Sequence, residues 1–376
     1  MGRKGSNVTD QRLQKMAHVL VDYSVDIQPG EKVMIESTTA AEALVREVYR
    51  RVLERGGHPH LLLSLPDQDE VFYAAAQAEQ LDLPPIFHRQ AAEQFDARIR
   101  IYAETNTRAL SHVDPAQQAR RQKALAVVQN TAMQRAAEGT FKWISTQCPT
   151  QAYAIEAEMG WHEYQDFLFR ANHCDESTPD PVAYWQHIRE EQERFIHKFA
   201  GRQKVTLKGP NVDLSLSITG RTFLNSCGIH NLPDGEIYTG PVEDSVQGWV
   251  RFTYPAVYNG RMVEGVELYF ENGRVVKATA QKYAAFLQQM LDTDAGARYL
   301  GEFAIGTNFE IDRFTRNILF DEKIGGSFHM ALGASYPETG GRNTSAIHWD
   351  MICDMRQDAE IRVDGELVYQ NGGFLM

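Results

Sequence analysis

The first third of the chain alternates between helical and extended hydrophobic patterns. Apolar residues recur at helical spacing over residues 8–26, where Thr9 or Asp10 would cap the helix, and again after residue 39. Residues 32–36 lie between these helices and have the pattern of a strand, and residues 60–65 form another after a pair of glycines. This strand–helix–strand order predicts a βαβ unit, the building block of a parallel sheet.

Two further segments extend this pattern. Residues 97–102 and 141–145 are apolar enough to form strands, and the Ala-, Gln- and Arg-rich residues 115–137 between them predict a helix. The sequence contains neither a GxGxxG motif nor a Walker motif, so it gives no support for a dinucleotide or P-loop nucleotide site. We therefore predict an N-terminal α/β domain with a mainly parallel sheet over residues 1–200.

The pattern changes after Gly201. Short alternating segments predict strands at 205–207, 213–218, 248–254 and 266–270. The dipeptide Asn272-Gly273 then predicts a hairpin turn. Residues 201–376 are therefore expected to form a strand-rich α+β domain, and the fold class of the whole chain is α/β.

The charge balance excludes several classes of protein. The 376 residues include 38 Lys and Arg against 50 Asp and Glu, which gives a net charge of -12 at pH 7. Nucleic acids and anionic membrane surfaces both require a basic face, so neither is an expected partner. The sequence shows no export signal and no apolar run of ~20 residues. Its 4 cysteines lack the spacing of a disulfide framework or zinc site, so we expect a cytoplasmic protein with free thiols.

Side chains that bind metal ions are concentrated in the second domain. Glu236, Glu302, His329 and the pair His348 and Asp350 all lie beside turns or at strand ends. Residues two apart on a strand point to the same face, so His348 and Asp350 would project side by side. Taken singly, each residue is better explained by a structural role, such as capping a turn or forming hydrogen bonds in the core.

Five stretches in the second domain, taken in order, resemble the thermophilic metallo-aminopeptidase family, the aminopeptidase T group. They are NLPDGEIYTGP at 231–241, LGE at 300–302, the segment 320–333, Tyr336, and SAIHWD at 345–350. The N-terminal segment QPGEKV at 28–33 also resembles the opening strand of the family. The similarity therefore covers nearly the whole chain.

This resemblance implies a set of metal ligands and one catalytic residue that is not a ligand. The implied ligands are Glu236, Glu302, His329, His348 and Asp350, and the implied catalytic residue is Tyr336. The family also implies two divalent metal ions, drawn from Zn, Co, Mn or Mg, no other cofactor, a homodimer, and peptide substrates with a free N-terminus. The segment between Tyr336 and His348 is shorter than in some members, so the substrate-side wall is expected to differ.

The chemistry of these donors agrees with the resemblance. All of them offer nitrogen or oxygen, which suits the metals named above better than a thiolate-selective ion. We therefore predict a dinuclear metal-dependent aminopeptidase of broad specificity. The alternatives are another dinuclear hydrolase, such as an amidase or a phosphoesterase, and a protein that binds a metal or ligand without turnover.

Other polar residues give a weaker signal. His58 and His60 are a possible ligand pair near a strand start, where a structural role is favoured. Glu243 and Asp244 follow the Glu236 loop and would either bind a substrate amine, support the ligands, or serve as surface charges.

Overall fold

A computed structural model describes residues 10–258 and 260–375, so Thr9 and the start of the first predicted helix lie outside the described residues. The chain divides into two compact units. The first contains the residues up to Trp185 together with Gly228–Pro233, and the second contains Gln186–Cys227 and Asp234–Met376. The division between Trp185 and Gln186 falls inside a helix and precedes the change of hydrophobic pattern at residue 201. That change of pattern marks the approach to the first strand of the second unit.

Helices and strands alternate through the first part of the chain. In order they are α1 (Gln11–His18), β1 (Lys32–Thr38), α2 (Glu42–Glu54), β2 (His58–Ser64), α3 (Gln68–Ala75), α4 (Ala78–Asp82), α5 (Ile86–Gln94), β3 (Ala97–Tyr102), α6 (Pro115–Ala137), β4 (Lys142–Gln147), α7 (Gln151–Glu156), α8 (Trp161–Ala171) and α9 (Pro181–His197). The Asp10 side chain caps α1 by accepting a hydrogen bond from the Arg12 amide, and the chain continues beyond α1 as a π-helical segment, Val19–Ser24.

Strands dominate the rest of the chain. In order the elements are β5 (Lys204–Gly209), β6 (Val212–Ser217), β7 (Leu224–Ser226), β8 (Asn231–Leu232), β9 (Glu236–Thr239), β10 (Gln247–Arg251), β11 (Ala256–Tyr258), β12 (Arg261–Val263), β13 (Glu267–Glu271), β14 (Arg274–Thr279), α10 (Ala284–Leu291), β15 (Leu300–Gly306), α11 (Ile318–Asp321), β16 (Ser327–Gly333), β17 (His348–Asp354), β18 (Glu360–Val363), β19 (Glu366–Gln370) and β20 (Gly373–Phe374).

The first unit is built on a parallel sheet, as predicted. Its five strands lie in the order β2-β1-β3-β4-β8, and every neighbouring pair is parallel. Val33, Ile35, Ile99 and Ile144 in the central strands are fully buried, as expected for a parallel sheet covered on both faces. The four cysteines of the chain are all free and buried, which confirms the expectation of unpaired thiols.

The second unit contains an eight-stranded antiparallel sheet, a two-stranded ribbon and a five-stranded antiparallel sheet. The hairpin at Asn272-Gly273 joins β13 to β14 as predicted. The five-stranded sheet, in the order β17-β16-β15-β9-β7, carries every metal ligand that the resemblance implied. The predicted α/β fold class, with a parallel N-terminal sheet and a strand-rich C-terminal part, is confirmed.

Candidate metal centre

Four adjacent strands of the five-stranded sheet bring the predicted ligands together. Glu236 is the first residue of β9, Glu302 lies in β15, His329 lies in β16, and His348 and Asp350 lie at the start of β17. The register places Glu302 opposite Ala331 of β16, and Ala331 is in turn opposite Asp350. Directly paired residues in an antiparallel sheet project to the same face, so the ligands of separate strands share one face.

Alternation along the strands explains why this face is polar and has room for a ligand. The residues between the ligands, Phe303, Phe328, Met330 and Trp349, point to the other face and are buried in the hydrophobic core of the second unit. On the ligand face, the positions between the charged groups hold small residues such as Ala304 and Ala331. The sequence thus combines a core-forming face with a face that leaves space around its charged side chains.

The two imidazole groups lie close to three carboxylates. His348 Nε2 lies 3.1 Å from Glu302 Oε2 and 3.5 Å from Asp350 Oδ1. His329 Nε2 lies 3.4 Å from Glu236 Oε2, 3.8 Å from Glu302 Oε1 and 4.0 Å from Asp350 Oδ1. All five residues named from the resemblance are therefore within reach of one another.

The backbone determines which nitrogen of each histidine faces the carboxylates. His329 Nδ1 lies 2.9 Å from the carbonyl oxygen of Glu322, and His348 Nδ1 lies 2.8 Å from the carbonyl oxygen of Ala334. A carbonyl oxygen can only accept, so each Nδ1 donates its hydrogen. In the neutral imidazole, Nε2 then presents a lone pair toward the carboxylates, which is the arrangement of a metal-binding histidine.

The structure adds two residues that the sequence argument did not assign. Glu322 directly follows α11, and the buried Lys323 comes next. The Lys323 ammonium contacts the Glu322 carboxylate and lies 3.4 Å from Glu236 Oε1. The ammonium offsets the charge of the additional carboxylate, so the two additions leave the net charge of the cluster unchanged.

Two groups of side chains among the described residues have the spacing of a metal site. One consists of Glu302, His348 and Asp350, and the other of Glu322, His329 and Asp350; the ligand atoms in each lie within 4.8 Å of one another. Glu236 Oε2 and Asp350 Oδ1 are also buried and accept no hydrogen bond from any described residue. Buried carboxylate oxygens rarely lack a partner, so these residues fit bound divalent cations.

The electrostatics of the cluster favour charged forms of these groups. Burial opposes a positive charge on His348, but the nearby Asp350 and Glu302 carboxylates outweigh it and raise the pKa of His348 well above its usual value. Burial likewise opposes a negative charge on Asp350, but His348 and then His329 lower the pKa of Asp350 to about 2. The carboxylates therefore stay ionised and attract positive charge into a buried position.

Tyr336 stands at the edge of this cluster. Its ring lies 5.2 Å from the ring of His348 and 5.6 Å from the ring of Tyr238, both in edge-on arrangements. Although 43% of the residue is exposed, burial of the phenol group raises the pKa of Tyr336 well above its ordinary value, and the Glu302 and Asp350 carboxylates raise it further. The hydroxyl group therefore remains protonated and available as a hydrogen-bond donor.

The short segment after Tyr336 is tied to neighbouring loops. Glu243 Oε1 accepts a hydrogen bond of 2.6 Å from the Arg342 amide, and Glu243 Oε2 accepts one of 2.6 Å from Arg221. The Asn343 side chain donates to the Gly333 carbonyl at 2.6 Å. Glu243 thus has a structural role in holding the segment that follows Tyr336.

Comparison with known proteins agrees with this geometry. The sequence model of the thermophilic metalloprotease family M29 matches residues 9–374. The chain belongs to this family. The match spans both compact units, so the metal-binding face and the parallel sheet together are features of an M29 protein.

Individual M29 relatives are similar over almost their full length. The chain is 28% identical to Aminopeptidase 2 of Geobacillus stearothermophilus, covering 96% of this chain and 95% of the relative. It is 26% identical to Aminopeptidase AmpS of Bacillus subtilis, covering 97% and 98%. The structure of AmpT from Thermus thermophilus superposes with a TM-score of 0.85 at 24% identity, covering 97% of this chain and 99% of that one.

These matches confirm the predicted family and the predicted enzyme class, a metallo-aminopeptidase. M29 membership also implies the use of divalent metal. His58 and His60 belong to neither of the two potential metal-binding groups found in the described part of the chain. Within residues 10–258 and 260–375, no helix has both the length and the apolar character needed to cross a membrane.

Proposed function

We propose that this M29 protein is a dinuclear aminopeptidase that removes the N-terminal residue from peptides and accepts a broad range of side chains. The observation that carries the proposal is the pair of overlapping ligand groups that share Asp350. A carboxylate has two oxygens, so one aspartate is able to serve two neighbouring ions. The breadth of specificity rests on the resemblance to the family.

Each proposed ligand has a place in this arrangement. Glu302 and His348 would hold one ion, Glu322 and His329 would hold the other, and Asp350 would contribute to both. Glu236, whose Oε2 lies 3.4 Å from His329 Nε2, completes the set. Two divalent ions, drawn from Zn, Co, Mn or Mg, supply an activated water and polarise the scissile carbonyl when bound.

Tyr336 contributes a proton donor in this proposal. Its hydroxyl would donate a hydrogen bond to the oxygen of the peptide carbonyl as negative charge develops there. Such donors act mainly in the transition state, because the neutral carbonyl of the substrate is a weaker acceptor than the developing oxyanion.

Removal of metal is the direct test of the proposed activity. Chelation should reduce hydrolysis of an amino-acid p-nitroanilide to background, and Zn²⁺ or Co²⁺ should restore it, because the activated water and the polarisation of the scissile carbonyl both depend on bound metal. Metal analysis of the restored enzyme should give two ions per chain. The matched control is the same p-nitroanilide with its amino group acetylated, which should not be cleaved.

Other results would identify a different function. Turnover of phosphate esters or simple amides without peptide hydrolysis would point to another dinuclear hydrolase. Tight metal binding without turnover of either substrate class would point to a binding protein. Cleavage of the acetylated p-nitroanilide at the same rate as the free one would exclude an aminopeptidase.

We also propose that the protein is a homodimer, as the family resemblance implies. The edge of the parallel sheet supports this proposal. Strand β2 has a neighbour on one side only among the described residues, and its Leu61 and Leu63 are 46% and 40% exposed. Leu53 of the adjacent α2 is 52% exposed. An apolar edge strand left in water is prone to pair with another chain.

Charge on this edge is expected to shift the protein toward monomers. Replacing both Leu61 and Leu63 by glutamate places four negative charges across a two-fold interface, so sedimentation velocity should show a loss of dimer. Val276→Glu is the matched control, because Val276 is also 46% exposed on a strand but lies in the second unit. A wild-type protein that sediments as a monomer would contradict the proposal.

A further inference from the structure

A pair of arginines in the first unit is not used by the proposed peptidase site. Arg98 and Arg100 alternate with isoleucines along β3, so both side chains project from the same face of the parallel sheet. In register, Arg98 is opposite Met34 of β1 and Trp143 of β4, and Arg100 is opposite Glu36 of β1. Of these two arginines, only Arg100 therefore has a carboxylate as its neighbour in the sheet.

The two guanidinium groups differ in how they are satisfied. Arg100 forms an ion pair of 2.8 Å with Glu36. Arg98 makes no hydrogen bond and no ion pair with any of the residues that the structure describes, and the Nε atoms of both arginines are buried and unpaired. The undescribed residues 1–9 contain no Asp or Glu that could compensate Arg98. Both arginines are only partly exposed, so water reaches some of the five donors of each guanidinium group but not the buried Nε–H groups, and a buried donor without a partner is costly.

A small cavity lies beside these groups. Its volume is about 30 Å³, and its walls include Glu36, Arg98, Arg100 and His88 together with apolar side chains from β1, α5 and α6. Two guanidinium groups against one carboxylate leave a surplus of one positive charge. Burial lowers the pKa of His88, so the imidazole adds no further positive charge near neutral pH. The surplus charge lies in surroundings where a bound anion interacts more strongly than in water.

The geometry points to a binding site for one small monovalent anion between Arg98 and Arg100. A volume of about 30 Å³ exceeds the ~10–15 Å³ that a cavity needs to hold one water molecule, which suits a chloride-sized ion but is far too small for a nucleotide or a sugar phosphate. Water alone would satisfy the Nε–H groups but would leave the surplus charge uncompensated. Anion binding would stabilise the packing of α5 and α6 on the sheet, and it does not depend on the proposed peptidase activity.

Thermal unfolding in two matched salts tests this inference. Sodium chloride should raise the unfolding midpoint of the metal-loaded protein by a few degrees relative to sodium gluconate at equal ionic strength, because gluconate is too large for the cavity. The rise should saturate with chloride concentration. Arg98→Met should abolish this difference and, in gluconate, should unfold at the same or a higher temperature than the wild type, because it removes an uncompensated charge.

Arg46→Met is the matched control, because Arg46 is exposed on α2 and pairs with Glu42; it should keep the chloride effect. A crystal of the wild-type protein soaked in bromide gives a second measurement that needs no variant, and an anomalous peak is expected between the two guanidinium groups. Equal midpoints in the two salts, an undiminished chloride effect in Arg98→Met, or a cavity that holds only water in bromide would each overturn the inference.

Discussion

Replacing Asp350 by asparagine is expected to remove nearly all peptidase activity and to lower the metal content. Asp350 belongs to both ligand groups, and its Oδ1 is buried without a hydrogen-bond partner. The amide keeps the shape of the side chain but loses its negative charge, so both proposed ion positions are weakened at once. The loss of activity should exceed the ~10–100-fold that changes outside the ligand shell usually cause. Metal analysis and p-nitroanilide turnover measure the two effects.

Asp354→Asn is the control for this experiment. Asp354 lies on the same strand, but its carboxylate pairs with Arg356 and belongs to neither ligand group. This variant should keep its metal and its activity. His348→Ala should resemble Asp350→Asn, although it removes a ligand from one group only. Full metal occupancy in both Asp350→Asn and His348→Ala would show that β17 does not supply the ligands.

Removal of a single hydroxyl group from Tyr336 is expected to have the second largest effect. Phenylalanine keeps the ring contacts with His348 and Tyr238 but cannot donate a hydrogen bond. Loss of one oxyanion donor typically lowers kcat by ~10²–10³-fold. Tyr336→Phe should therefore lower kcat by about this factor, with little change in KM and with full metal content.

The result separates catalysis from packing. Tyr283→Phe is a suitable control, because Tyr283 is also about half exposed, at 53%, and precedes α10; it should keep normal kcat. If Tyr336→Phe retains near-normal kcat, Tyr336 contributes only ring contacts. If its metal content falls, Tyr336 acts through the ligands instead of the substrate.

Much of the fold could be predicted from local patterns. The segments around β1, β2 and β3 combine short apolar runs with glycine and proline turns, and these signals depend only on neighbouring residues. The ligand positions required more, because Glu236 and Asp350 are over a hundred residues apart and only sheet pairing brings them together. Similarity to a family supplied that long-range information, whereas each residue type alone favoured a structural role.

Glu322 and Lys323 show where such reasoning fails. They directly follow the four-residue helix α11, in a stretch with neither helical nor strand periodicity. An adjacent Glu-Lys pair also looks like an ordinary exposed pair of charges. The signal that could have identified Glu322 is its position seven residues before His329. A tight turn between the two residues can bring both to the same end of β16. Sequence alone gives no reason to expect that the Lys323 side chain is fully buried.

The use of main-chain carbonyl groups to orient His329 and His348 affects how this enzyme can diverge. In many metal sites a side chain accepts the hydrogen bond from the histidine, and a single substitution there misdirects the imidazole. Here the acceptors are the carbonyl oxygens of Glu322 and Ala334, which every amino acid possesses. Substitution at position 334 therefore leaves the orientation of His348 unchanged, provided that the strands keep their register, whereas the side chain of Glu322 is constrained by its place in one of the ligand groups. Tolerance of this kind allows residues around the histidines to change while the same two Nε2 atoms continue to face the carboxylates.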